Sequence, residues 1–183
     1  CLTHDTRNTK SFLVDLNNGE SKVIDDRNSQ DVYSDPGNFN TVKNQYGRYV
    51  VDMKGGKAYL IGEGFTKDGQ HPFIDEMDVK SLKKKRLYTS NLKNGKEAII
   101  DILNPSKGEI LTTQQSSSQY PNYFKKNIKS NKAEAVTNFA NPFESIKDVY
   151  KEVITYKRND GVTLTGTLYL PANYDRKAKK EKL

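Results

Sequence analysis

Tyr156-Lys-Arg-Asn-Asp-Gly-Val-Thr-Leu-Thr-Gly-Thr-Leu-Tyr-Leu-Pro-Ala-Asn-Tyr174 reads as a β-hairpin, and its reading sets the fold class. Val162, Leu164, Leu168 and Leu170 share one face at period two, with Thr163, Thr165, Thr167 and Tyr169 on the other. Asn159-Asp-Gly161 offers residues that tolerate positive φ, as a tight hairpin turn requires. Pro171 ends the second strand because it has no N–H to give to a ladder. Few residues follow, too few to build a core, so the hairpin reads as the opening of a truncated domain.

Working back from the hairpin, a weak internal repeat organises the chain. Leu13-Val-Asp-Leu-Asn-Asn-Gly-Glu-Ser-Lys-Val-Ile24 is an apolar strand, a polar turn and a second apolar strand. Met77 to Leu87 and Asn127 to Val136 repeat the plan. The same interval separates the polar residue that starts the turn from the aliphatic that closes it: Asp15 to Ile24, Asp78 to Leu87, Asn127 to Val136. Asp and Asn favour such turns because their side chains bond the local backbone. Inner strands are expected at Arg48–Met53, Lys57–Gly62, Ala98–Leu103 and Glu109–Thr113, broken by Gly55-Gly56 and by Asn104-Pro-Ser-Lys-Gly108. Two four-stranded units result, at about 40–90 and 93–140, with part of another before them; Asp35-Pro-Gly37 places Pro and Gly for a type II turn that links them. Asn141-Pro-Phe-Glu144, followed by Ile146, Val149 and Tyr150, predicts a helix of one to two turns.

Y-K-R-x-D-G-V-x-L-x-G-T-L-Y-L-P-A-x-Y-D, read from Tyr156, resembles the first strands of the α/β-hydrolase domain in the prolyl oligopeptidase family of serine peptidases. It is most similar to the bacterial dipeptidyl aminopeptidase, acylaminoacyl-peptidase and glutamyl endopeptidase branch. Ser34-Asp-Pro-Gly37, His71-Pro-Phe-Ile-Asp75, Tyr120-Pro-Asn-Tyr-Phe124 and Thr137-Asn-Phe-Ala-Asn-Pro-Phe143 fit that branch too. The resemblance implies an all-β chain: a partial β-propeller over 1–140, a linker with a short helix over 141–152, and hydrolase strands over 153–183. Blades of ~40–45 residues close into rings of about four to eight, so 183 residues make an arc rather than a ring. The family implies a peptide substrate, a propeller that gates access to it, and a bacterial, periplasmic or exported location.

Composition sets the bounds. Hydrophobic residues make up 34% of the chain, yet seven Phe and eleven Tyr supply core material. The mean hydropathy of −0.85 suits thin β architecture with much exposed polar surface. No apolar run is long enough to span a membrane, and the start at Cys1 carries no signal peptide, which reads as a piece of a longer protein. One cysteine and two histidines, in no ligand spacing, imply neither a zinc site nor any cofactor. The net charge of +7 is spread apart from Lys83–Arg86 and Arg176–Lys182, without the stripe or motif that nucleic-acid binding needs.

No Gly-x-Ser-x-Gly elbow occurs, so no catalytic residue is assigned, and the family's Ser, Asp and His would lie beyond Leu183. His71 reads as solvated or structural rather than as a base, and Asp75, Glu76 and Asp78 as solubilising residues of an edge strand. Tyr120, Asn122 and Tyr123 are the candidate substrate-binding residues; packing of the motif's aromatics between blades is the favoured reading, and lining of the central funnel or of the face that meets the hydrolase domain the other. The parent then reads as a serine peptidase and this chain as its inactive part, prone to self-associate through unpaired sheets. The alternatives are a non-enzymatic propeller scaffold that binds protein or glycan, and a basic nucleic-acid-binding β protein.

Overall fold

The computed structural model describes residues 2–3, 5–172 and 174. These fall into two compact units, one of residues 1–116 and 120–139, the other of 117–119 and 140–183.

The larger unit is built on three antiparallel sheets. The first holds Leu2–Thr3, Asn8–Val14 and Ser21–Asn28. In the second, Lys84–Thr89, Phe73–Asp78 and Lys57–Gly62 lie in that order, and both Asn38–Phe39 and Met53–Lys54 pair with the far side of Lys57–Gly62. The third is a meander of Lys96–Asn104, Glu109–Gln115, Asn122–Asn127 and Lys132–Ala135. Side chains from opposite faces of the second sheet form two cores. Tyr59, Ile74 and Tyr88 pack with Ile102 and Ile110 of the third sheet. Ala58, Leu60 and Met77 pack with Phe39 and with Ile24 of the first. Burial on both faces explains why Ala58-Tyr59-Leu60 is an unbroken buried run rather than an alternating one.

The repeat is present as a recurring turn. Gly19, Leu82 and Asn131 hold the same place in the three repeats, and all three are left-handed, at φ 74, 58 and 55°. Gly19 and Leu82 donate their N–H to the carbonyls of Asp15 and Asp78, at 2.8 and 2.7 Å. The carboxylate or amide oxygen that opens each turn accepts a backbone N–H inside it: Asn17 to Asp15, Ser81 to Asp78, Ser130 to Asn127. The closing aliphatics also correspond. Ile24 packs on the second sheet, and Leu87 on the cluster that the second and third sheets share. Val136, at the same position, is 59% exposed.

Three expectations for the larger unit need correction. Arg48–Met53 is not an inner strand of the second sheet. Asn40 donates to the Tyr59 carbonyl at 2.8 Å, and Asp52 donates to the Asn40 carbonyl at 2.9 Å. Between these ties the chain leaves the sheet as a ribbon of its own, Thr41–Lys43 paired with Tyr49–Val51. The strand Phe73–Asp78 lies between two neighbours instead of at an edge, because both of its sides are paired. The edge is Lys84–Thr89, so most of the Lys83–Arg86 run is strand rather than turn, and its exposed lysines discourage further pairing.

In the smaller unit, the predicted helix shrinks to a single 3₁₀ turn, Glu144–Ile146. Asn141 accepts from the Phe143 N–H, but Tyr150 already belongs to a strand. That strand, Tyr150–Lys157, pairs with Thr163–Leu170 over eight residues. Gly161 alone in the turn has positive φ, at 86°, and its N–H bonds the Arg158 carbonyl while Arg158 donates to Val162. The connection is therefore a three-residue loop with a glycine bulge, one residue longer than a two-residue primed turn. The basic run Arg176–Lys182 lies outside the described residues.

Candidate functional site

Asn122, one of the three candidate residues, is buried and fully engaged. Its amide donates to the Tyr120 and Phe139 carbonyls, and its oxygen accepts from the Thr137 hydroxyl at 2.8 Å and the Phe139 N–H at 2.6 Å. It is a clip that ties the irregular segment after the third sheet back onto the strand that Asn122 opens. Tyr123 carries the same tie through its backbone, with its N–H on the Thr137 hydroxyl and its carbonyl accepting from Val136. Its ring is partly exposed, and Tyr120 is half-buried. The amide of Asn122 thus has no spare donor or acceptor within reach of an incoming peptide.

His71 places Nδ1 3.2 Å from the Ser90 carbonyl, so that nitrogen carries the proton and the ring serves as a structural donor. Asp75 is paired with Arg86, whose guanidinium lies 3.7 Å from the centre of the Phe73 ring. Asp78 takes the Lys57 ammonium at 2.9 Å, and this bond with those from Ser81 holds its carboxyl well below the usual carboxylate range. Among the described residues no group of three or more His, Cys, Asp or Glu side chains is arranged to hold a metal ion. No helix among them is long and apolar enough to cross a membrane.

The most concentrated chemistry lies where the second and third sheets meet. Lys126 and Glu97 form an ion pair at 3.1 Å with side chains 8% and 0% exposed. Lys126 also donates to the Tyr88 hydroxyl at 2.6 Å, Tyr88 donates in turn to Glu97, and Gln114 donates to the other carboxylate oxygen at 3.1 Å. Burial opposes ionisation of Glu97, but hydrogen bonds from Ser90 and Tyr88 and the charge of Lys126 outweigh it, leaving the pKa below its ordinary value. Burial and the neighbouring carboxylate push the Tyr88 phenol up. Sealed from solvent, this cluster joins sheets rather than reaching a substrate. Sequence reasoning missed it, since Glu97 and Lys126 sit in polar text that resembles any exposed strand.

In the smaller unit, a groove of about 680 Å³ is lined by Phe143, Ile146, Tyr150, Tyr169 and Leu170, with Ser117 and Lys147 among its polar groups. Its character is aromatic, and Lys147 is already paired with Glu144. The hydroxyl–carboxylate contacts of the buried cluster, Tyr88 and Ser90 on Glu97, are closed off inside the fold.

No protein-family model matches the chain. It is 31% identical, over 94% of its length, to a protein named probable glutamyl endopeptidase, chloroplastic, from Arabidopsis thaliana. The protein of the same name from Oryza sativa subsp. japonica is 32% identical over the same share. The chain spans about 20% of the length of each of these relatives. Among solved structures, it is similar to a variant of the AtxE2 isopeptidase with Astexin3-dC4 bound, at 16% identity and a TM-score of 0.41, covering 95% of this chain and 26% of that one. It is similar also to TolB from Acinetobacter baumannii, at 14% identity and a TM-score of 0.39, covering 95% and 35%. The sequence likeness makes the chain a relative of peptidases.

Proposed function

We propose that this chain is a non-catalytic portion of a serine peptidase of the prolyl oligopeptidase type. Residues 1–140 would be consecutive blades of a propeller that restricts access of peptides, 141–152 a connector, and 153–183 the first strands of the hydrolase domain. The observation that carries the reading is the order of the repeats. The first two repeats close on an aliphatic packed against a core between sheets, Ile24 on the second sheet and Leu87 on the cluster that the second and third share, while Val136 is left 59% exposed. A stack in which every sheet repeats one contact to its successor is how blades are built. The likeness to glutamyl endopeptidases supports peptide-bond hydrolysis as the parent's reaction.

The test compares this chain with the longer protein its gene encodes, on peptides that contain glutamate. The longer protein should hydrolyse them and lose that activity to a serine-directed inhibitor, while the chain alone shows no turnover above a heat-killed control. Inhibitor-sensitive turnover by the chain alone, or none by the longer protein, overturns the proposal.

A further inference from the structure

The ribbon that leaves the second sheet at Asn40 and returns at Asp52 takes no part in either core. All six of its strand residues are exposed, and Tyr46 at its tip and Tyr49 on its side are 78% and 69% open to solvent. Asn44 donates to the Arg48 carbonyl at 2.8 Å, which closes a three-residue loop with Gly47 left-handed at φ 73°. Antiparallel pairs alternate between bonded and unbonded. With Asn44–Arg48 bonded, and Asp52 bonded to Asn40, the pairs Thr41–Val51 and Lys43–Tyr49 fall at unbonded positions. Their backbone N–H and C=O groups turn outward, two residues apart, along each edge. Such an edge is a template for an added strand.

Charge says which strand. Between Thr41 and Val51 the ribbon carries Lys43 and Arg48 and no carboxylate. The Lys43 ammonium lies 5.3 Å from the centre of the Tyr49 ring, so one unbonded pair joins an outward backbone, a cation and an aromatic face. A second copy of this chain would bring the same two cations against them, within a net charge of +7, which opposes pairing of like ribbons. We propose that the ribbon 41–51 is a docking arm that takes an extended acidic peptide as an added β-strand. This deepens the reading of the chain as part of a peptidase and rests on it, with the acidic segment belonging to the substrate.

The probe is a fluorescein-labelled (Thr-Glu)₅ peptide, followed by anisotropy with the 183-residue chain across a salt series. Controls are (Thr-Lys)₅, and (Pro-Glu)₅, which keeps the charge but cannot pair as a strand. Because Asn40 and Asp52 are already bonded to each other, an Asn-Gly turn replacing 41–51 removes the arm without opening a core. Binding of (Thr-Glu)₅ should weaken about tenfold or more in the armless chain and in the Lys43→Glu/Arg48→Glu variant, and weaken as salt rises. Equal binding by the armless chain, equal binding of (Pro-Glu)₅, or no binding at millimolar protein overturns the arm. If the longer protein cleaves peptides while the arm binds none, only this inference fails. If the arm binds while the longer protein is no peptidase, the substrate role fails with the function and the docking chemistry stands.

Discussion

Leu60 in the second sheet and Val153 in the terminal hairpin both sit in well-paired antiparallel ladders, yet their surroundings differ completely. Leu60 is 1% exposed and Val153 is 68% exposed. The second sheet is covered on both faces, by the first sheet and the third. The hairpin has eight paired positions, but Val153, Tyr156 and Tyr169 all remain open. The contrast separates two sources of order. Hydrogen-bonded pairing and cross-strand contacts suffice to shape a hairpin, but a lone two-stranded ribbon is marginal in water. Burial is what turns a ladder into a stable element.

The largest test of this contrast is electrostatic. Lys126→Met leaves Glu97 charged and buried without its partner, a change that costs about 3–5 kcal/mol in such pairs. Denaturant melts of the chain should show that loss, and Glu97→Leu combined with Lys126→Met should recover much of it, because both charges then go. The pH dependence has a definite sign. In the natural chain the folded pKa of Glu97 is depressed, so its contribution is present above the unfolded value and fades as pH falls through the folded one. In Lys126→Met the Lys126 charge is gone while burial and the Ser90 and Tyr88 bonds remain, so the folded pKa of Glu97 lies higher than in the natural chain and protonation in acid costs the variant less. The gap between the two proteins should therefore narrow in acid; a gap that stays the same across pH would show that Lys126 acts by packing alone.

Next in size is the direct comparison. Leu60→Ala removes a wholly buried side chain and should cost about 2–5 kcal/mol, read from the shift of the denaturation midpoint. Val153→Ala, on an exposed site, should stay within about 0.5 kcal/mol. Similar losses at both sites would mean that the hairpin is covered after all, and the contrast would fall.

The repeat and the hairpin were both legible, and for the same reason. Asp15, Asp78 and Asn127 announce their turns through side chains that bond the local backbone, and Thr163 to Leu170 alternates cleanly. Both are local signals. What depended on distant partners was misread or missed. Tyr49-Val-Val is good strand text, but whether it joins the sheet or its own chain is decided by Asn40 reaching Tyr59. Lys125 and Lys126 are neighbours in sequence; the first side chain is 46% exposed and the second 8%, because alternation turns only one toward Tyr88 and Glu97. Of the candidate residues, the motif around Tyr120 was found but not its use, since the tie from Asn122 to Phe139 crosses seventeen residues.

The smallest effect isolates backbone from packing. Gly37, beside the second sheet, and Gly161, in the hairpin turn, have nearly the same dihedral, φ 82 and 86°. Both resist a side chain for that reason, at about 1 kcal/mol for a residue forced into the left-handed region. They differ in what surrounds them. A Cβ on Gly161 meets nothing within 4 Å, whereas one on Gly37 would stand 2.5 Å from the Ile61 carbonyl oxygen, in the backbone of the strand it adjoins. Gly161→Ala should thus carry the conformational cost alone. Gly37→Ala must add the displacement of a paired strand and lower the melting temperature further. The difference between the two melting shifts measures how rigidly the second sheet is held. Equal shifts would mean that Ile61 yields at no cost, and that the sheet buried on both faces is no stiffer than the ribbon exposed on both.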